Sequence, residues 1–207
     1  NMTKNNNLVI EVCMPRIFSE HERVEIIDAL EKAAMEELKR NGIRRTTVDS
    51  LCSSAHIAKG TFYLFYESKE DLFLSCLTSF AESLEGMYLE MLQNLDENHI
   101  VTSLTAVFYK VAERFEREGI FRFLDGENLA LIKRKVPEKR FRDPWETMDK
   151  VIHSLFQYFS IENEEDIHIF EDSFLSILHL YLIPQGLRNR DESIKFLIRG
   201  LVLQMVE

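Results

Sequence analysis

Apolar residues return every three or four positions along most of this chain, separated by short polar stretches, so the pattern predicts one helix after another. The first opens after Ser19, whose S-x-x-E spacing to Glu22 makes a capping box. It runs to about Arg40, before Gly42, with Val24, Ile27, Leu30, Ala34 and Leu38 as its buried stripe. Val48, Leu51, Cys52 and Ala55 then recur on one face of a short helix, with Thr47 as its N-cap and Thr46 as the alternative. His56-Ile57 interrupts the pattern as a turn with Ile57 inward. A second short helix follows from about Ala58 to Phe65, with Phe62 and Tyr66 inward. Ser68 and Asp71 have the spacing of another capping box. It opens a long helix to about Leu95 that turns Leu72, Cys76, Phe80, Leu84, Met87 and Met91 inward.

Beyond the polar Asp96-Glu97-Asn98 loop, helices are predicted over residues 100 to 118, 120 to 134 with Gly126 inside, 144 to 160 and 164 to 182. Val136-Pro137 reads as a break, and Ile183-Pro184-Gln185-Gly186 as a stop. The last helix runs from Asp191 to Met205, with Ile194, Leu197, Ile198, Leu201 and Met205 on its apolar face. The expected fold is all-α. Residues 1–15 form a flexible extension, 16–67 a three-helix domain and 68–207 a helical bundle, with no internal repeat.

Two short helices joined by a tight turn make a helix-turn-helix, and the polar residues left outside its core define a chemistry. Lys59 can neutralise a phosphate or reach a guanine edge, and Gly60 admits a close backbone approach. Thr61 and Tyr63 can hydrogen-bond phosphates at the helix start. The run T-T-V-x-x-L-C-x-x-A-x-I-A-K-G-T-F-Y from Thr46, continuing to Lys69 and Leu72, resembles the DNA-binding signature of the TetR-like bacterial transcriptional regulators. That resemblance covers about the first third of the chain. It implies that the first short helix crosses the DNA backbone, that the second enters the major groove, and that the protein binds as a dimer. The expected DNA-binding residues are Thr47, Lys59, Gly60, Thr61, Tyr63 and Lys69. Three positions depart from the family pattern. His56 stands where a turn glycine is usual, Ala58 where a capping Ser is common, and Phe65 where a His or Tyr often meets phosphate.

The net charge of −10 looks wrong for a DNA-binding protein until its distribution is read. Between Lys39 and Lys69 six basic residues stand against two acidic ones, so the acidic surplus lies elsewhere. A second basic run, Lys133-Arg134-Lys135 with Lys139, Arg140 and Arg142, reads as a solvated helix end and loop. Of 207 residues, 45% are apolar and only 7 are Gly and 4 Pro, which suits a packed helical chain. No apolar run is long enough to span a bilayer, and Glu11 interrupts the short Leu8 to Met14 stretch, so neither membrane insertion nor export is expected. Cys13, Cys52 and Cys76 form no CxxC pair, as suits a reducing cytoplasm. Asn1 ahead of Met2 reads as a residue left from expression.

Phe170, Phe174, Leu175, Ile177, Leu178, Tyr181 and Leu182 cover more of the penultimate helix than one core face needs. A two-fold copy would cover the excess, giving Phe170, Phe174, Leu178, Leu197 and Leu201 as expected homodimer contacts; filling of the protomer's own core is the alternative. Aromatic residues gather in the middle helices. Phe108, Phe115, Phe123, Trp145 and Phe156 are the candidates to line a pocket for a small apolar or aromatic effector, with plain core as the competing role. His153, His168 and His179 lack metal-ligand spacing, so no metal or cofactor is expected. No HExxH, GxxxxGK[ST], GxSxG or GxGxxG occurs, leaving catalysis without a visible residue to act. The expected function is a sequence-specific DNA-binding regulator acting on a near-palindromic duplex, and the TetR resemblance implies a repressor, released by a small apolar or aromatic effector. A helical scaffold or adaptor is the alternative, and the solvent-facing residues from Lys59 to Lys69 separate the two.

Overall fold

The computed structural model describes residues 18–123, 126–138, 141, 143–159, 164–182 and 188–206, and every regular element among them is helical. The expected extension 1–15 and the stop at residues 183–186 lie outside the described residues.

Helix α1 (Glu20–Arg45) starts with the expected capping box, in which Ser19 Oγ accepts the Glu22 N–H at 3.3 Å and Glu22 accepts the Ser19 N–H at 2.9 Å. Gly42, at φ 71° and ψ 168°, breaks α1 three residues before its end, in backbone space that glycine enters without a Cβ clash. Val24 departs from the expected stripe. It is 55% exposed, because the inner face of α1 follows Leu30, Ala33, Ala34 and Leu38, one turn further on. Helices α2 (Val48–Ser54) and α3 (Lys59–Phe65) complete a small head, and α4 (Lys69–Gln93) rises from it. At the start of α4, Ser68 Oγ accepts the Asp71 N–H at 3.1 Å, while the Asp71 carboxylate accepts the N–H of Glu67 instead of that of Ser68. The cap is therefore a one-sided version of the expected box.

Past a 3₁₀ turn (Glu97–His99), α5 (Ile100–Glu118) ends at Gly119 in a left-handed conformation, φ 71° and ψ 26°, the usual helix stop. The single helix expected over 120 to 134 is two, α6 (Ile120–Phe123) and α7 (Gly126–Lys135). Helices α8 (Pro144–Gln157) and α9 (Glu164–His179) follow. The end of α9 tightens into a 3₁₀ turn (Leu180–Leu182), and α10 (Arg190–Val206) closes the chain.

Helix α4 organises the whole, packing on α1, α5, α7 and α8. Glu31 of α1 accepts from Ser75 and Ser79 of α4 at 2.9 and 3.0 Å, and Tyr88 donates to the Val151 carbonyl of α8 at 3.3 Å. Lys39 of α1 meets Glu118 at the end of α5 at 3.1 Å. The buried apolar residues form one continuous core from Leu30 to Val202, with no gap between head and bundle. No helix among the described residues is long and apolar enough to cross a membrane.

Candidate nucleic-acid interface

The head is built by caps and one unusual turn. Thr47 Oγ1 accepts the Ser50 N–H at 3.0 Å and Ser50 Oγ accepts the Thr47 N–H at 3.2 Å, fixing where α2 begins. At its other end, Ile57 N–H donates to the Cys52 carbonyl at 3.0 Å and His56 N–H to that of Ser53 at 3.3 Å, the bond pair of a Schellman stop. That stop needs a left-handed residue, and His56 supplies it at φ 54°. The His in place of the usual glycine thus keeps the glycine's conformation, at a modest steric cost.

Helix α3 hangs on Phe62, which is fully buried, and on Tyr66, whose hydroxyl burial pushes up to about 12. Its cap, Ala58, makes no side-chain bond, as expected for a residue without a hydroxyl. Phe65 serves the fold, packing on Phe18 at 6.0 Å with the Arg23 guanidinium 5.0 Å over its ring. What remains outward is Lys59, Gly60, Tyr63 and Leu64, with Thr61 half-buried. Tyr63 stands 53% exposed, steadied edge-on against Phe62 at 5.3 Å. A Cβ added at Gly60 would meet nothing within 4 Å, so the space over α3 is open to a partner's backbone.

Two features of this face escape a sequence reading. Lys59 Nζ lies 2.9 Å from a carboxylate oxygen of Asp49 on α2, whose hydrogen bond holds the ammonium pKa above its ordinary value. Asp49 thus gives the Lys59 ammonium an anionic partner from the neighbouring helix. Leu64, 54% exposed, is the second: an unburied apolar side chain on α3 is what a thymine methyl contacts. Its spacing from Lys59 is the only signal that could have found it.

Lys69 corrects an expectation. Its Nζ donates to the carbonyls of Ile43 at 2.7 Å, Thr46 at 2.6 Å and Arg44 at 3.4 Å, and burial lowers its pKa. These carbonyls have no helical partner at the end of α1, so the ammonium closes that end. Lys69 fastens the head to the root of α4 rather than standing free for DNA.

The residues expected to line an effector pocket are not brought together. Phe108 packs on Phe156 at 5.2 Å and on Phe174 at 5.1 Å, Phe115 on Phe80 at 5.4 Å, and Phe123 on Phe73 at 6.3 Å. These are three ring clusters inside one core, each satisfied by its neighbours. The side chain of Trp145 lies outside the described residues. The expected dimer face divides as well. Phe174 and Leu178 are buried in the protomer, Leu201 nearly so and Phe170 partly. The apolar side chains that α9 and α10 do expose are Ile169, Phe196, Leu197, Leu203 and Val206. Phe196, at 78%, overlooks a groove of about 610 Å³ between α5 and α10 that Tyr109, Ala106 and Lys195 also line.

Residues 30–76 match the model of the bacterial regulatory proteins of the tetR family. No curated protein matches the chain. Among solved structures, a protein of Mesorhizobium loti assigned to the TetR family of transcriptional regulators superposes with a TM-score of 0.63 at 15% identity, covering 91% of this chain and 98% of that one. Thermus thermophilus FadR, a TetR-family transcriptional repressor solved with lauroyl-CoA, gives 0.52 at 23% identity over 84% and 92%. AibR, solved with isovaleryl coenzyme A and operator DNA, gives 0.54 at 18% identity over 86% and 97%.

Proposed function

Because residues 30–76 match the model of the tetR family of bacterial regulatory proteins, we propose that the protein is a sequence-specific DNA-binding transcriptional regulator, a repressor that a small apolar effector releases. The observation that carries the reading is the outer face of α3. Lys59, Gly60, Tyr63 and Leu64 face solvent there, on a helix whose inner face is fully used by Phe62. A scaffold protein has no use for such a face. Tyr63 takes the DNA backbone and fixes register, Lys59 takes a phosphate or a guanine edge, and Leu64 meets a base edge in the major groove.

The regulator acts as a homodimer, with the apolar side chains exposed on α9 and α10 covered by a second copy. A dimer places two heads on a near-palindromic duplex with half-sites about one helical turn apart. The division at Ser68 leaves the head before it and the effector-binding and dimerisation bundle after it. For the effector, the superposition on two proteins solved with acyl-CoA ligands supports an acyl thioester or a similar apolar molecule. The ring cluster of Phe108, Phe156, Phe159 and Phe174 is closed in this conformation, so an apolar chain enters by parting it. Such a change is carried to the head by α4, which runs beside those helices. By linkage, DNA weakens the effector by the factor by which the effector weakens DNA.

Selection of bound duplexes from random DNA tests this reading. The expected result is enrichment of a near-palindrome whose affinity falls as salt rises. No enrichment by a folded dimer would leave a helical scaffold as the better account. Acyl-CoA esters of graded chain length, screened by thermal shift and then for release of the selected duplex, test the effector arm.

A further inference from the structure

The sequence pattern marks Lys133, Arg134 and Lys135 as a solvated helix end, and the fold gives that end an address. Helix α7 packs against α1 and α4, the two helices that join head to bundle. Its first turn is tied to the end of α1 by Glu127, 3.7 Å from Arg44. Its last turn is anchored by Ile132 and Val136, both buried, with the Val136 N–H donating to the Ile132 carbonyl at 2.9 Å. The three basic side chains between those anchors are all exposed, and among the described residues no carboxylate pairs with any of them. Lys133 lies over the Phe141 ring, at 6.0 Å. Lys135 lies close enough to Lys69 that its charge contributes, after burial, to the low pKa there. Lys69 in turn grips the backbone immediately before Thr47. Lys135 thus stands near Lys69, at the root of α4, where α7 packs against α1 and α4.

We propose that the end of α7 is a second DNA-backbone contact, in which Lys133, Arg134 and Lys135 of the regulatory domain engage phosphates next to those met by the helix-turn-helix. The proposal rests on the DNA-binding reading above and extends it to a domain that reading assigns to effector and dimer. Charge distribution favours DNA over another partner. In a chain of net charge −10, a run of three exposed cations, with no carboxylate partner among the described residues, lies near Lys69 at the root of α4. Such contacts are blind to sequence, adding affinity and salt dependence rather than base preference. They also give the bundle a direct hold on the operator, so a shift of α7 changes DNA affinity without any movement of α3.

The test compares Lys133→Gln with Lys135→Gln, together in one protein, against Lys110→Gln with Lys150→Gln, which removes the same charge from α5 and α8. Both are measured on a duplex the wild type has selected from random DNA. For the α7 pair the plot of log affinity against log salt should flatten by about 0.9 for each phosphate no longer neutralised, and adding Arg134→Gln should flatten it further. Hydroxyl-radical footprints should lose one stretch of backbone protection beside each half-site while the selected base sequence stays the same. The exposed positions leave folding intact, and a melting curve checks this. If the α7 pair matches the α5/α8 pair in slope and footprint, the second contact is overturned while the reading of the head stands. A wild type that selects no duplex overturns the reading of the head, and this proposal with it.

Discussion

Lys59 stands out in the sequence by breaking the apolar helical spacing and Phe108 by keeping it, and the structure puts them at opposite extremes. In the head, α2 and α3 are seven residues long, so each has one inner face, and whatever does not fit it must stand outside. In the bundle, α5, α8 and α9 are packed on several sides, and an aromatic residue at a helical interval meets another ring wherever it turns. The contrast separates two meanings of a pattern. On a short, shallow element, an out-of-pattern Lys, Gly or Tyr points to a partner, whereas within a deep bundle an in-pattern Phe points to more protein.

The largest expected effect contrasts two phenylalanines on the C-terminal helices. Phe174→Glu places a charge within the ring cluster of Phe108 and Phe156 and should unfold the protomer, at a cost of several kcal/mol. Phe196→Glu, on an exposed position, should keep the melting temperature but give a monomer in sedimentation and abolish operator binding. A dimeric, DNA-binding F196E protein would place the interface elsewhere. Two lysines sharpen the comparison within the head. Lys69→Ala strands three carbonyls and should lower stability by about 1–3 kcal/mol, seen as a lower melting temperature. Lys59→Ala should leave the melting curve unchanged and reduce the salt slope of DNA binding by about 1 if it holds a phosphate.

Gly60→Ala separates fold from function most cleanly. With open space at its Cβ, the variant should fold as well as the wild type or better, since alanine is favoured in helices by about 1 kcal/mol, yet lose DNA affinity. Unchanged affinity would show that no partner backbone approaches there. Asp49→Asn frees Lys59 and should raise affinity a few-fold with a steeper salt dependence, measured by titration at several salt concentrations. The smallest effect is expected at Asp149 on α8, whose pKa is raised by partial burial and by Glu171, Asp143 and other nearby carboxylates. A carboxyl with a raised folded-state pKa contributes most when protonated, so its contribution fades as pH rises through that value. Asp149→Asn should therefore be more stable than wild type near neutral pH, and the difference should shrink on acidification below the ordinary carboxylate range.

The head is legible in the sequence because its determinants are local. The Thr47 cap, the inward Phe62 and Tyr66, and the outward Lys59, Gly60 and Tyr63 follow from spacing within twenty residues. The long α4, the break at Gly42 and the order of the later helices are legible for the same reason. Lys69 misleads because its three acceptors lie 23 to 26 residues upstream, a distance no periodicity reports. Asp49 escapes notice because it stands on a different helix from Lys59. Phe174 and Leu178 read as surplus apolar area only while Phe108 and Phe156, far away in sequence, cannot be counted as their partners.

The continuity of the core through α4 bears on how such proteins can be taken apart and recombined. A head cut off before Ser68 would lose the helix that α1 packs along, and with it much of the cover over Leu30, Ala34 and Leu38, all fully buried here. Each bared leucine gives up about 1.5–3 kcal/mol of burial, a large share of the stability a chain of some fifty residues can muster. The head is therefore no detachable module. A chimera that gives this bundle a new DNA specificity has to graft the outward residues of α3 onto the existing helix, or carry the root of α4 along with the foreign head.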